Sequence, residues 1–378
     1  MMNKNTGILY RYELKKIMRS KLTIAMMIIL VLVVLLAGLS PGEKETREVR
    51  DYQHVLNGRA IDNDLLNEMY PLIDDYAVTW NAENAAYERV AYVEKCIVGD
   101  GERLSDYTAD EMYGIRESDL MEVMAMDRLS DDEIAWWAGQ EDKVAKPFIY
   151  NYSGGPVALA RGLSEVCLAM LLFAAMCLST VFAGEHRQRT DQIVLSCVNG
   201  RKETCFAKLA AGMSFVLGAF IVSFAMLALI IFLRKGLDGM EAMVQLEVPF
   251  SAYPLTIGRF IAIQFVLILA ASVLFAAAAM AFSEIFRNGL AVMGLLTGCY
   301  LVTQIVSIPA RYRIPSQIMC WMPTEITDLA SLMDHRLVGI GEHYITSFHI
   351  APVLYLFLTV ILYAAGSRMY CRFQVSGR

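Results

Sequence analysis

No Gly-x-x-x-x-Gly-Lys-Ser/Thr run occurs in the 378 residues, so the chain lacks the loop that cradles nucleotide phosphates. The superficial candidate, Gly42-Glu-Lys-Glu-Thr46, does not have the glycine spacing. ATP hydrolysis by this chain is therefore not expected. Absent too are the His-Glu-x-x-His of zinc peptidases, the Gly-x-Ser-x-Gly elbow of serine hydrolases and the Asp/Asn-rich loop that holds calcium. Histidines are few, five in all. His335, His343 and His349 stand eight and six residues apart, which reads as polar surface rather than a metal site. The sequence nominates no catalytic residue, no metal, no cofactor of its own and no nucleic-acid partner.

Charge is scarce as well, at 19% of residues, while 56% are hydrophobic and the mean hydropathy is +0.43. That is too apolar for a soluble chain of this length. The excess collects in six runs, 22–39, 157–183, 206–233, 260–282, 290–308 and 350–366. Each is near the roughly 20 residues that cross a hydrocarbon core, and helices alone satisfy their backbone there. The reading is an all-α polytopic membrane protein of six transmembrane helices. The first run reads as an anchor rather than a cleaved leader, since Ala37-Gly38-Leu39 followed by Pro41 is a poor cleavage site. Of the eight cysteines, only Cys96 and Cys320 fall on one outer side, and two free thiols are expected.

The net charge of −6 conceals an asymmetry. Residues 41–156 carry 26 Asp and Glu against 11 Lys and Arg, a net of −15, and the remainder carries +9. An acidic, mostly helical extracytoplasmic domain over 40–156 thus separates spans one and two. Thr108-Ala-Asp-Glu111 and Ser130-Asp-Asp-Glu133 fit capping boxes, and 81–97 has helical spacing. Leu65, Leu66, Tyr70, Leu72, Ile73, Trp80, Trp136 and Trp137 supply a candidate core. Bases concentrate in 1–21, in the 184–205 loop, in the 283–289 turn and in the 367–378 tail. The positive-inside rule puts these, and both termini, in the cytoplasm of a plasma membrane, bacterial by expectation. The loops 234–259 and 309–349 then lie outside.

The entry segment, 6–20, reads as an interfacial amphipathic helix. Tyr10, Leu14, Ile17 and Met18 form its apolar stripe, with Arg11, Lys15 and Arg19 positioned for lipid headgroups. Within the spans, Arg161 and Glu165 share one helix face at i, i+4 spacing and are expected to pair. Gln264 and Gln304 read as interhelical hydrogen-bond partners. The other spans carry no buried acid, which argues against proton or sodium coupling.

The 184–205 loop holds Glu185, Arg189, Thr190, Asp191, Ile193, Val194, Leu195, Ser196, Gly200 and Arg201, with Lys208 opening the next span. A short apolar ridge at Ile193, Val194 and Leu195 between bases suits docking to a cytosolic protein. This order resembles the coupling segment of ABC-2 type ABC transporter permeases: a Glu after span two, a Thr turn, an apolar-Leu-Ser run, a Gly-Arg step and a Lys. Where that family often has Gly-Thr-Asp, this chain has Arg189 before Thr190 and Asp191. The 283–288 turn, the basic entry helix and the domain after span one are similar to the family too. The resemblance implies an exporter permease, a separate ABC ATP-binding subunit that binds ATP, and a second permease copy or sister permease. Two other classes stay open: a sensor or resistance subunit whose acidic domain captures cationic peptides, and an ion-coupled carrier.

Overall fold

The structure, a computed structural model, describes residues 4–40, 47–73, 82–99, 101–188, 190, 201–306, 308–309, 312–341 and 343–372. It is 77% helical. The chain enters through α1 (Lys4–Met18) and α2 (Lys21–Leu39) and then builds a polar insert of α3 (Arg47–Val55), α4 (Asn63–Ile73), α5 (Ala82–Ala86), α6 (Glu88–Val98), α7 (Ala109–Met126) and α8 (Asp131–Glu141). After it come α9 (Gly154–Leu178), a short α10 (Ala183–Gln188), α11 (Lys202–Lys235), α12 (Ile257–Phe286) and α13 (Gly289–Ile305). The chain closes with α14 (Arg313–Cys320), α15 (Pro323–Ile326), the hairpin of β1 (Leu337–Ile340) and β2 (His343–Thr346), and α16 (Ser347–Arg372).

Five helical segments, α2, α9 with α10, α11, α12 and α16, are long and apolar enough to cross a membrane. The run expected over 290–308 is a shorter apolar helix of 17 residues, about 25 Å by its rise. Val306 is already extended beyond its end, at φ −95° and ψ 111°, with Pro309 close behind. The other apolar helices run past their expected ends, α16 most of all.

Packing follows side-chain size. The helices α9 and α12 form the centre, and α12 contacts both α9 and α16. The buried face of α12 is largely alanine, from Ala270 to Ala281, and small residues let helix backbones close up where lipid supplies no hydrophobic drive. Around them α2 buries only Thr23, Met26, Leu30, Val34 and Gly38, one stripe at three- and four-residue spacing. A β-carbon on Gly38 would stand 2.9 Å from Ile230 of α11, so this crossing needs glycine. The outward faces, such as Ile28, Leu32 and Leu36 of α2 and Val353, Phe357 and Val360 of α16, are exposed apolar surface suited to lipid.

The insert is docked rather than tethered. Both capping boxes form as expected, at Thr108 with Glu111 and at Ser130 with Glu133. Leu65, Leu66 and Trp137 are buried, whereas Tyr70, Leu72 and Trp136 are only partly so; Trp80 lies outside the described residues. Trp137 donates from Nε1 to the His335 carbonyl at 2.7 Å and stacks edge-on against Tyr253, 4.8 Å away. Arg116, fully buried, joins Glu141 to the carbonyls of Pro249 and Ser251 at 2.6 and 2.9 Å. Arg313 pairs with Glu133. The insert and the two segments on either side of α12 and α13 thus share one core. The β-hairpin and this docking were not expected from the pattern of residues. The described cysteines, Cys96 and Cys320 among them, are free thiols.

His335 gives this core a pH dependence. The residue is 1% exposed and neither ring nitrogen has a hydrogen-bond partner. Burial, helped by Arg116 and Arg336 against the opposite pull of Asp334 and Glu141, pushes its pKa down to about 4. The unfolded chain takes up this proton near pH 6.5 and the folded chain only near 4, so stability falls as pH drops through that window. The loss approaches roughly 3 kcal/mol once both forms are protonated. Thermal midpoints from pH 7.5 to 4.5 should fall, and the slope should flatten in His335→Leu; an equal slope in both would reject the assignment.

Candidate functional site

The end of the bundle opposite the insert is organised around a break in a helix. α9 stops at Leu178 and α10 resumes at Ala183. A break inside an apolar segment leaves amide and carbonyl groups that need partners from neighbouring helices. Ser283, one turn before the end of α12, accepts from the amides of Phe182 and Ala183 on its Oγ at 3.2 and 2.9 Å. Lys208, six residues into α11, donates from Nζ to the Val181 carbonyl at 3.2 Å. Beside them His186 Nε2 lies 3.1 Å from Glu284 Oε2.

Lys208 is fully buried, with its ammonium 5.3 Å from the Phe182 ring centre. It donates to Glu185 Oε1 at 2.5 Å and lies 3.9 Å from Glu13 of α1. Lys16, also on α1, donates to the same Glu185 oxygen at 3.0 Å and lies 3.7 Å from Glu13. Two carboxylates and two ammoniums therefore alternate across three separate elements, with charges that cancel. Glu13, Glu185 and Lys208 are buried while Lys16 is half exposed, and removing a buried member leaves an uncompensated charge. Tyr10 of α1 adds a hydroxyl contact to Ser214 of α11 at 2.8 Å. A cleft of about 930 Å³ opens alongside, lined by Glu13, Lys16, Arg187, Gln188, Arg287 and Asn288 among others.

Of the residues singled out in the loop, the structure brings Glu185 and Lys208 together. Thr190 donates its amide to the Glu185 carbonyl at 3.1 Å. Arg201 donates to the Cys371 carbonyl at 3.1 Å, tying the start of α11 to the end of α16. Arg189, Asp191, Ile193, Val194, Leu195, Ser196 and Gly200 lie outside the described residues. On α1, Arg11, Lys15 and Arg19 are exposed and Tyr10 and Leu14 are partly buried, as their stripes imply. Met18 departs from the expected apolar face, being 48% exposed, while Glu13 is buried in the packed stripe. The helix packs on α11, and the carboxylate is turned inward toward Lys208 and Lys16. Glu13, Lys16, Ser283 and Glu284 were missed. The available signal was Glu13 itself, an acid at the three- and four-residue spacing of Tyr10, Leu14 and Ile17.

The expected Arg161–Glu165 pair is corrected. Arg161 turns to Glu247 at 2.9 Å, where Arg89 also binds at 3.1 Å, because Glu247 is buried and has more to gain from a second cation than exposed Glu165 has. Gln264 does bridge helices, donating to the carbonyls of Ala160 and Thr327. Among the described residues no group of three metal-ligating side chains occurs. The arrangement is a charge lock between the entry helix α1, the helix break at α10 and the start of α11. Residues 8–334 match the sequence profile of a described family, the ABC-2 family transporter proteins. No curated protein matches the chain.

Proposed function

This chain belongs to the ABC-2 family of transporter proteins, and on that premise we propose that it is the permease subunit of an exporter, driven by a separate ATP-binding subunit. Members of the family are multi-pass membrane proteins that serve generally as the non-catalytic part of such transporters. We take the lock end to face the cytoplasm, with both termini inside and the acidic insert outside a bacterial plasma membrane. Six spans would count α13 as the fifth. Two such subunits, identical or sister chains, would enclose the path. The observation that carries this reading is the lock of Glu13, Lys16, Glu185 and Lys208. It welds α1 to the first turn after α9 and to the start of α11, so a push on the loop from a cytosolic partner moves α1, α10 and α11 together rather than melting the loop. Closure of the ATP-binding subunits would then rock the helices between inward-open and outward-open states.

The test is co-purification of the tagged full chain from its host, with ATPase activity assayed. A P-loop protein should be recovered with the unaltered chain. Its recovery should drop at least about tenfold when Ile193, Val194 and Leu195 are all changed to Asp, because three charges placed in an apolar contact cost far more than the ~1.4 kcal/mol that a tenfold change represents. A preparation without any nucleotide-binding partner would overturn the reading.

A further inference from the structure

At the insert end, a cavity of about 300 Å³ lies in the seam between the insert and three apolar helices, α2, α9 and α11. That is the small end of the range for ligand sites. Its charged side chains are already engaged within the chain. Glu247 holds Arg161 at 2.9 Å and Arg89 at 3.1 Å, and Arg234 donates to the Gly38 carbonyl at 2.8 Å. Glu88, Arg89, Lys235 and Glu247 each have further contacts. Both signs of charge stand side by side in the wall, so a ligand with a net charge meets its like as well as its opposite. Apolar surface is scant: among the described residues that line the cavity, only Ala37, Val157, Ala158 and Ile231 are aliphatic. Two neutral polar groups are not engaged. Ser153 is buried at the N-cap of α9, yet its hydroxyl caps no amide. The first amides of that helix have no acceptor within it either. Gln53 of α3 faces Ser153's side of the seam from the insert, and its Oε1 has no hydrogen-bond partner among the described residues. A polar group left unbonded away from water is costly, which points to a partner supplied from the cavity.

We propose that this seam binds a neutral saccharide unit, which clamps the insert to the membrane helices. Every hydroxyl of a saccharide both donates and accepts. Such a ligand therefore serves guanidinium, carboxylate, amide and hydroxyl groups alike, without bringing a charge of its own. Hydrogen bonds to ionised groups are about twice as strong as those between neutral ones, so a wall of paired charges still holds hydroxyls well. Ser153 and Gln53 gain the partners they lack, exposed Glu165 accepts from hydroxyls at the mouth, and the C–H face of a sugar ring lies on exposed Tyr92 of α6. A hydrocarbon tail finds too little apolar wall, and a charged ligand is opposed by its like. The ligand touches α3 and α6 on one side and α9 and α11 on the other, so it bridges the seam. It holds the insert and is not the cargo, so this proposal and the permease reading are each able to fail alone.

The experiment is calorimetric titration of the purified full chain, without nucleotide or partner, in a detergent that has no sugar headgroup. The probes are cellobiose, maltose and N,N′-diacetylchitobiose, with cellobiuronate, maltobiuronate and chitobiose as their charged counterparts. At least one neutral disaccharide should bind saturably, about tenfold or more tighter than its charged counterpart. The same sugar should slow protease cleavage within residues 47–152. Ser153→Ala and Gln53→Met should each weaken binding by about threefold to tenfold, the range for one hydrogen bond. Neither the Ser153 hydroxyl, which caps no amide, nor Gln53 Oε1 has a partner to lose among the described residues. The melting temperature without sugar should therefore stay the same in both variants, which separates a lost contact from a lost fold. Failure of all three neutral disaccharides to saturate, charged forms that bind as tightly, or both variants binding like the unaltered chain would each overturn the proposal. Binding that leaves cleavage unchanged would overturn the clamp.

Discussion

Lys208→Met should abolish transport-coupled ATP hydrolysis while leaving a folded but less stable protein. Methionine matches the length of the lysine stem and fills the same buried space, so packing is conserved. What disappears is the ammonium that holds Glu185 at 2.5 Å and the Val181 carbonyl at 3.2 Å. Unpairing a buried charge costs roughly 3–5 kcal/mol, and the lower end applies because Lys16 stays 3.0 Å from Glu185. The companion variant Lys208→Met with Glu185→Leu removes both charges. Replacing a buried ion pair by apolar groups is often neutral for stability, so the melting temperature should recover. ATPase coupling should not, because the link from α1 through α10 to α11 is then gone. Recovery of both together would make the lock structural only and remove its role in coupling. Full coupling in the single variant would remove it as well.

This expectation explains why the lock is built from charges. An apolar contact between α1 and the helix break would slip with little penalty, since neighbouring registers bury similar area. Alternating charges in a water-poor site allow one register and penalise the others by like-charge contact. The break supplies the second requirement. A continuous helix from Gly154 through Gln188 would offer no free carbonyl at Val181 and no free amides at Phe182 and Ala183. By interrupting it, the chain gains three backbone groups that α11 and α12 grip through Lys208 and Ser283.

How far the residues foretold this depended on the range of each interaction. The capping boxes at Thr108 and Ser130 close within three residues, and hydropathy alone marks the long helices, so both were legible. Glu185 and Lys208 were singled out from a loop pattern, but nothing local shows that they meet each other. Lys16 meets Glu185 across 169 residues and Arg116 reaches Pro249 across 133, and such pairings leave no periodic trace. Arg161 shows the converse error. Its i+4 neighbour Glu165 has ideal spacing, yet a buried acid from the segment between α11 and α12 outbids it. The hairpin escaped notice because its strands are four residues long and carry Gly339, with Gly341 in the left-handed region at φ 66° supplying the turn.

Arg116→Met should unseat the insert from the membrane helices. The guanidinium makes a two-pronged contact with Glu141 and donates to the carbonyls of Pro249 and Ser251, all from a position with no solvent exposure. Methionine leaves the two carbonyls without that donor and leaves Glu141 to Lys146, 3.0 Å away but partly in water. The expected loss is about 3–5 kcal/mol of the docking free energy, which exceeds what most single changes cost. Lysine at 116 should recover only part, because a single ammonium cannot span a carboxylate and two carbonyls in the fork geometry. Limited proteolysis of the full chain in detergent should show residues 47–152 cleaved far faster in Arg116→Met, with Arg116→Lys intermediate and the membrane helices still protected. Unchanged cleavage would mean that Trp137 and the Arg313–Glu133 pair hold the insert without help. Faster cleavage with intact ATPase coupling would place the insert outside the coupled motion. Faster cleavage with coupling lost would make the docked insert part of it, since Pro249 and Ser251 lie only a few residues before α12, whose far end carries Ser283 and Glu284 beside the lock.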